Sequence, residues 1–395
     1  MDRLEATVAH LDRLIGFATV SADSNLDLID YVEAVLAAEG IEARRIPDST
    51  GRKASLLATI GPSDRAGIVL SAHSDVVPAE EPNWSSPPFT ASLRENRLYG
   101  RGSCDMKGFI ACALASIGQF KHMATATPVH LALSYDEEVG CRGAPDLVAA
   151  VSRLETAPAL CIVGEPTSLK VVSAHKGKVA KRITVTGLTG HSALPHRAGN
   201  AVTAAARIAS LIDDLARDCA AKASPSSPFD PPYTTLHVGS LHGGSVLNLV
   251  PDRAVIEFEI RSLPDTDVAA LLKCIDTGIA EQRSHLRRSA LEADIRVEDI
   301  SAYPGLATHK NDPALAIVAQ LAGSDAKPAT VSFGTEAGLY SAAGVTTVVC
   351  GPGNMARAHK ADEWIGLDEL AATNRMMDRL AQKLGQPIAE WLVAT

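Results

Sequence analysis

Seven residues of this 395-residue chain have the types and the placing to do chemistry. The apolar run GIVLSAHSD ends in His73 and Asp75, and GRGSCDMKG sets Asp105 just before a small-residue helix. HLALSYDEEVG turns abruptly acidic at Glu137 and Glu138, ALCIVGEPT carries Glu165, and TTVVCGPGNMARAHK leads to His359. Singly, each has a plain reading as a structural histidine or a solvated acidic turn. Together, two histidines, two aspartates and three glutamates following apolar runs or opening a helix are costly to gather unless a cation neutralises them. Imidazole and carboxylate without thiolate suit Zn2+ first, with Co2+ or Mn2+ as alternatives. The set points to a two-metal hydrolytic site.

The elements that must position these residues follow an α/β pattern. Helical stretches cover roughly 2–17 and 25–39, the second closed by Gly40. The short runs SLLATI (55–60), GIVLSAH (67–73), HLALSY (130–135) and ALCIVG (159–164) are apolar on both faces, which predicts strands of a sheet covered by helices on both sides. A helix is expected over 106–120. In open α/β sheets ligands bind beyond the carboxyl ends of the strands, so residues far apart in sequence can converge there.

The pattern changes after about residue 177. VAKRITVTG (179–187) alternates, Asn200 caps a helix from Ala201 to about Ala221, and the Pro/Ser-rich SPSSPFDPPY (224–233) breaks the chain. Strands over 234–241 and 254–263, a helix across about 266–284 and a strand near 294–300 complete a β-α-β-β-α-β order, the ferredoxin-like arrangement. On 254–263, Ile256, Phe258 and Ile260 share one face, while Glu257, Glu259 and Arg261 share the other. From about 304 the α/β pattern returns, with a helix over 312–322, a strand over 346–351 and a closing helix from Asp368 to about Leu384. Residues 1–177 and 302–395 thus form a catalytic, metal-binding domain, and 178–301 an insertion in it.

Composition narrows the function class. A net charge of −9 without Lys/Arg runs argues against nucleic acid or an anionic membrane as partner. No apolar run approaches the ~20 residues needed to cross a bilayer. The amphipathic N-terminus, with acids among its apolar positions, reads as a first helix and not a signal peptide. Seven scattered cysteines with no CxxC pair suit a reducing cytoplasm. The glycines of GRGSCDMKG and LHGGS form neither a P-loop nor a dinucleotide fingerprint, and no GxSxG elbow is present. Cys104 beside Asp105 is a conceivable nucleophile with no base placed around it.

The segments AHSDVVP, GRGSCDMKG, DEEVG, GEPT, TGHSALPH and AHK resemble those of the dinuclear zinc amidohydrolases, a family that includes aminoacylases, glutamate carboxypeptidases and succinyl-diaminopimelate desuccinylase. The resemblance covers nearly the whole chain, and the motifs are specific in combination. It implies a zinc-peptidase-like catalytic domain with helices on both faces of a mixed sheet, and an inserted dimerisation and lid domain. It implies that His73 and Glu165 hold one metal, Glu138 and His359 the other, with Asp105 bridging both. Asp75 would orient His73, and Glu137 would be the general base on a hydroxide bridging the metals. A cis peptide is implied at Asp105–Met106. His191 in TGHSALPH, otherwise a surface histidine, would reach the active site of the neighbouring subunit of a homodimer and assist at the developing oxyanion. Arg261, otherwise a solvent-facing arginine, would grip the substrate α-carboxylate. Asn248, Gly334, Thr335 and Asn354 match substrate-contacting positions. The implied partner is a small N-acylamino acid. Glu336, in GTEAG, is a candidate partner for a cationic substrate side chain or else part of a structural turn. Lys176 and Lys178 lie nearby without an assigned role.

Overall fold

A computed structural model describes residues 2–80 and 82–393. They divide into two units: one holds the chain up to Ala174, Leu306–Thr330 and Thr335 onward, and the other holds His175–Gly305 with Val331–Gly334.

The first unit is built on a mixed sheet. Its order runs Ala43–Pro47, Ala54–Ile60, Val129–Ser134, Ile68–His73, Leu160–Pro166, Thr347–Gly351, Val172–His175 and Leu306–Ala307, with Ala329–Val331 also pairing on Val172–His175. Ile68–His73 lies parallel to both of its neighbours, and Thr347–Gly351 is parallel to Leu160–Pro166. Every residue of these four parallel strands is buried, as expected for a sheet covered on both faces. One continuous core joins them to the helices Arg3–Ile15, Leu26–Ala38, Gly108–Leu114, Pro313–Ala322 and Leu367–Lys383. The close approach of Gly108–Leu114 to the sheet requires Gly164, because a Cβ there would lie 2.2 Å from the Phe109 ring.

The expected helix over 106–120 is two pieces. An irregular turn, Ser103–Lys107, in which Asp105 and Met106 are non-helical, leads into Gly108–Leu114, and a second helix, Ile117–Met123, follows a break at Ala115–Ser116. Ser116 Oγ donates to Cys112 O at 2.8 Å, a bond to the preceding turn that bends helices. A further short helix, Ile388–Val393, follows the closing one.

The second unit has the ferredoxin-like order. Its four strands pair as Thr235–Gly243, Arg253–Ser262, Gly177–Thr186 and Asp294–Tyr303, all antiparallel. The helices Ala201–Ala221 and Val268–Arg287 begin at Asn200 and Asp267, whose side chains accept from Thr203 N and Ala270 N. Burial alternates along Arg253–Ser262 in the expected phase, with Ile256, Phe258 and Ile260 inside. No helix among the described residues is long and apolar enough to cross a membrane.

Candidate metal centre

Parallel strands deliver the site residues to one end of the sheet. His73 is the last residue of its strand, Glu165 lies in the next, and Glu137 and Glu138 follow Val129–Ser134 by a few residues. Asp105 sits in the irregular turn Ser103–Lys107, and His359 lies in the loop after Thr347–Gly351. The two carboxylate oxygens of Asp105 face different imidazoles: Oδ1 is 3.1 Å from His73 Nε2, and Oδ2 is 3.3 Å from His359 Nε2. Glu138 Oε1 is 3.0 Å from His359 Nε2, and Glu165 Oε1 is 3.9 Å from His73 Nε2. Ligand atoms of His73, Glu137 and Glu165 all lie within 4.8 Å of one another, as do those of His73, Asp105 and Glu138. The Asp105–Met106 peptide is cis.

Asp75 serves this arrangement twice. Its carbonyl oxygen lies 2.9 Å from His73 Nδ1, which fixes the tautomer with Nε2 as the free lone pair, while its carboxylate is farther away at 3.5 Å. The carboxylate instead accepts the backbone N–H groups of Glu137 and Glu138 and the Ser21 hydroxyl. One residue thus orients both an imidazole and the two-glutamate turn. Asp136, the first acid of that turn, pairs with Lys53 at 2.5 Å. The Cys141 thiol donates to Glu137 Oε1 at 3.3 Å.

Burial pushes the Glu137 pKa up to about 8, against the pull of His73 and with the charges of Glu138, Asp75 and Asp105 adding to it. Burial, then the charge of Asp105, also raises Glu165 and Glu138. Burial works against a charged His73, but its carboxylate neighbours outweigh that and hold it high. Hydrogen bonds to Asp105 and Glu138 lift His359 to about 10. Donors bound to one ion at bond lengths near 2.1 Å stand roughly 3.4 Å apart, close to the separations found here. Divalent cations would satisfy these lone pairs and this crowded charge together, so the residues fit such a group. Cys104 is not a competing centre: burial, then the charges of Glu363 and Asp105, raises its thiol far out of the nucleophilic range.

The sequence model of peptidase family M20/M25/M40 matches residues 69–383, and the chain belongs to this family. It is a metal-dependent hydrolase. An acetylornithine deacetylase from Myxococcus xanthus is 35% identical over 387 residues, covering 96% of this chain and 97% of the relative. Among solved structures, an M20 family metallo-carboxypeptidase from Sulfolobus solfataricus shares the fold with a TM-score of 0.75 at 17% identity, covering 96% of this chain and 99% of that one. A dinuclear metal-binding peptidase of the family from Bacillus subtilis has a TM-score of 0.64 at 14% identity, covering 98% and 99%.

Of the residues expected to meet substrate, His191, Asn248, Arg261 and Gly334 belong to the second unit. His191 is exposed, pairs in a two-residue strand with Leu249 next to Asn248, and accepts from Ala193 N through Nδ1. Arg261 donates to Glu259 at 3.1 Å and to the Tyr303 hydroxyl at 3.2 Å. Gly334 packs on that tyrosine, leaving no room for a Cβ. Lys178 pairs with Glu259 at 3.7 Å, while Lys176 is buried and donates to the carbonyls of Pro231 and Tyr233. In the first unit, Asn354 is exposed and donates to Ser168 Oγ, whereas Thr335 is buried and its hydroxyl accepts from Ala337 N.

Of its two readings Glu336 takes the structural one, and its place among the substrate residues is corrected: it is 1% exposed, and its two oxygens accept from the hydroxyls of Ser71 at 2.5 Å and Ser134 at 2.6 Å. A carboxylate enclosed in this way ties two strands together and has no side open to substrate. Sequence reasoning also passed over Arg101 and Glu363. Their only signal was opposite charge, four residues before Asp105 and four after His359.

Proposed function

We propose that the chain hydrolyses N2-acetyl-L-ornithine to L-ornithine and acetate, a step of arginine biosynthesis, in the cytoplasm and as a homodimer. The observation that carries the chemistry is the convergence of His73, Asp105, Glu138, Glu165 and His359, with Glu137 beside them. The substrate rests on the name of the Myxococcus relative and on the likeness of GRGSCDMKG, SFGTEAGLY and VVCGPGNMARAHKADEW to acetylornithine deacetylases. The free cysteines suit a reducing compartment.

His73, Asp105 and Glu165 would hold one divalent ion and Asp105, Glu138 and His359 the other, Zn2+ first and Co2+ as the alternative; bound there, the pair supplies polarisation of the amide carbonyl and acidification of water. Glu137 takes the proton of the attacking water as its oxygen bonds to the carbonyl carbon. It then delivers that proton to the amide nitrogen, which leaves poorly as an anion, and the C–N bond breaks. Asp75 holds His73 and the Glu137–Glu138 turn in register for this transfer. Arg261 is assigned to the substrate α-carboxylate, for which a planar guanidinium is suited. Asn248, Gly334, Thr335 and Asn354 are assigned to the rest of the substrate, and His191 to the carbonyl oxygen in the partner subunit's site.

A panel of N-acylated amino acids compared by kcat/KM, with metal content measured on the same protein, tests this. Acetylornithine should lead. Preference for acetylcitrulline, another N-acylamino acid or succinyl-diaminopimelate would keep the chemistry and replace the substrate. A metal-loaded chain that hydrolyses none of them would defeat the deacylase reading.

A further inference from the structure

We propose that Arg101 and Glu363 form a positioning pair that holds three ligand-bearing loops in register for metal binding. This rests on the metal-centre reading above. Both side chains are 1% exposed and meet at 2.9 Å. Nothing in the hydrolytic scheme uses them, yet each donates to or accepts from loop backbone around the site.

Glu363 is saturated with donors from the loop that carries Asp105. Its Oε1 accepts the N–H groups of Cys104 at 2.8 Å and of Asp105 itself at 3.0 Å. Its Oε2 accepts Gly102 N at 3.0 Å in addition to Arg101. Gly102 has φ of 79°, a left-handed conformation that suits glycine and belongs to this turn of inward-facing N–H groups. Arg101 extends the connection. Its Nη2 donates to Pro78 O at 3.0 Å, in the loop that follows His73 and Asp75. Its Nη1 donates to Lys360 O at 3.2 Å, beside His359. The Trp84 ring lies 5.1 Å from its guanidinium. One ion pair therefore binds the loops of His73, Asp105 and His359.

A buried ion pair is a poor source of net stability, because desolvation offsets most of its attraction. Here it also adds a carboxylate beside a site already crowded with them. That placement makes sense for geometry: the N–H groups of the Asp105 turn need acceptors, and a carboxylate with two oxygens serves several at once. A planar guanidinium likewise reaches two carbonyls and a carboxylate from two nitrogens held in a rigid fork, whereas an ammonium donates from a single point.

The test uses Glu363→Gln, which keeps volume but has one acceptor oxygen, and Arg101→Lys, which keeps charge but loses the fork. Leu380→Ala, a core substitution that does not touch the site, serves as a control for destabilisation. Each protein is stripped with a chelator and titrated with Zn2+ against a chromophoric competitor, well below its melting temperature. Co2+ absorption spectra report ligand geometry. The two site variants should bind Zn2+ about 10- to 100-fold more weakly, the size expected when groups orienting metal ligands are lost. Their Co2+ spectra should change, kcat should fall with KM nearly unchanged, and the double variant should lose no more than the worse single one. Leu380→Ala should lower the melting temperature with none of these changes. Variants that match wild type in Zn2+ affinity and Co2+ spectrum while melting earlier would make the pair merely structural and overturn the proposal. If either single variant fails to fold, the other carries the same measurement. A wild-type chain that binds no Zn2+ would instead overturn the metal-centre reading and this inference with it.

Discussion

Glu137 and Glu138 are sequence neighbours whose N–H groups are both taken by the Asp75 carboxylate, so their side chains leave one fixed turn in different directions. Glu138 points to His359, and Glu137 to the Cys141 thiol. Glu137→Gln should therefore reduce kcat at least 10²-fold, the scale of a lost general base, with metal content kept. Glu138→Gln should lose bound metal as well, by elemental analysis of the dialysed proteins. Identical metal loss in both variants would make Glu137 a ligand. The ligand candidates were legible because each follows an apolar run or opens a helix. The role of Asp75 was legible only in part, because its contact to His73 runs through its backbone carbonyl, an atom no motif reveals.

At the scale of elements, the sheet is tied beneath the site by Glu336, from the start of the helix Ala337–Ala342. It joins Ser71 of one parallel strand to Ser134 of the next, and Ser71 Oγ also lies 2.9 Å from the Tyr340 hydroxyl. Glu336→Gln can still accept from one serine and donate to the other, so it should fold and lower kcat/KM equally for substrates with cationic and neutral side chains. Glu336→Ala leaves Ser71 Oγ with Tyr340 but takes the carboxylate from buried Ser134 Oγ, at about 1–3 kcal/mol for that group, which urea unfolding would measure. At the far end of the same strand from Glu137, His130 is buried, with Nδ1 on Thr59 Oγ1. Burial lowers its pKa to about 4 from the ordinary 6.5, so the native state keeps it neutral. Between these values the unfolded chain takes up a proton that the folded chain refuses. Stability is thus full above pH 6.5 and falls as pH drops toward 4, by up to about 3 kcal/mol from this residue. His130→Gln should lose less stability than wild type between pH 7.5 and pH 4.5. The apolar strands were readable because burial on both faces leaves an unbroken run. The break at Ser116 was not, because small helix-forming residues continue across it and one side-chain hydrogen bond marks it. Strands such as Leu306–Ala307 and Trp364–Gly366 are too short to carry a period.

At the scale of the whole molecule, the proposed homodimer makes a demand that separates it from a self-sufficient monomer. His191 and Glu137 lie in different units of one chain, and His191 is assigned to the partner subunit's site. Glu137→Gln and His191→Ala would each be nearly inactive alone. In a mixed dimer, the His191→Ala subunit keeps its own Glu137 and receives an intact His191 from the Glu137→Gln subunit, which restores one site. The other site receives both lesions. Random reassortment makes about half the dimers mixed, so activity should recover to roughly a quarter of wild type. The measurement is kcat on equimolar variants unfolded and refolded together, against the same proteins refolded separately and then mixed. If His191 serves its own chain, every site carries one lesion however the subunits are shuffled, and co-refolding restores nothing.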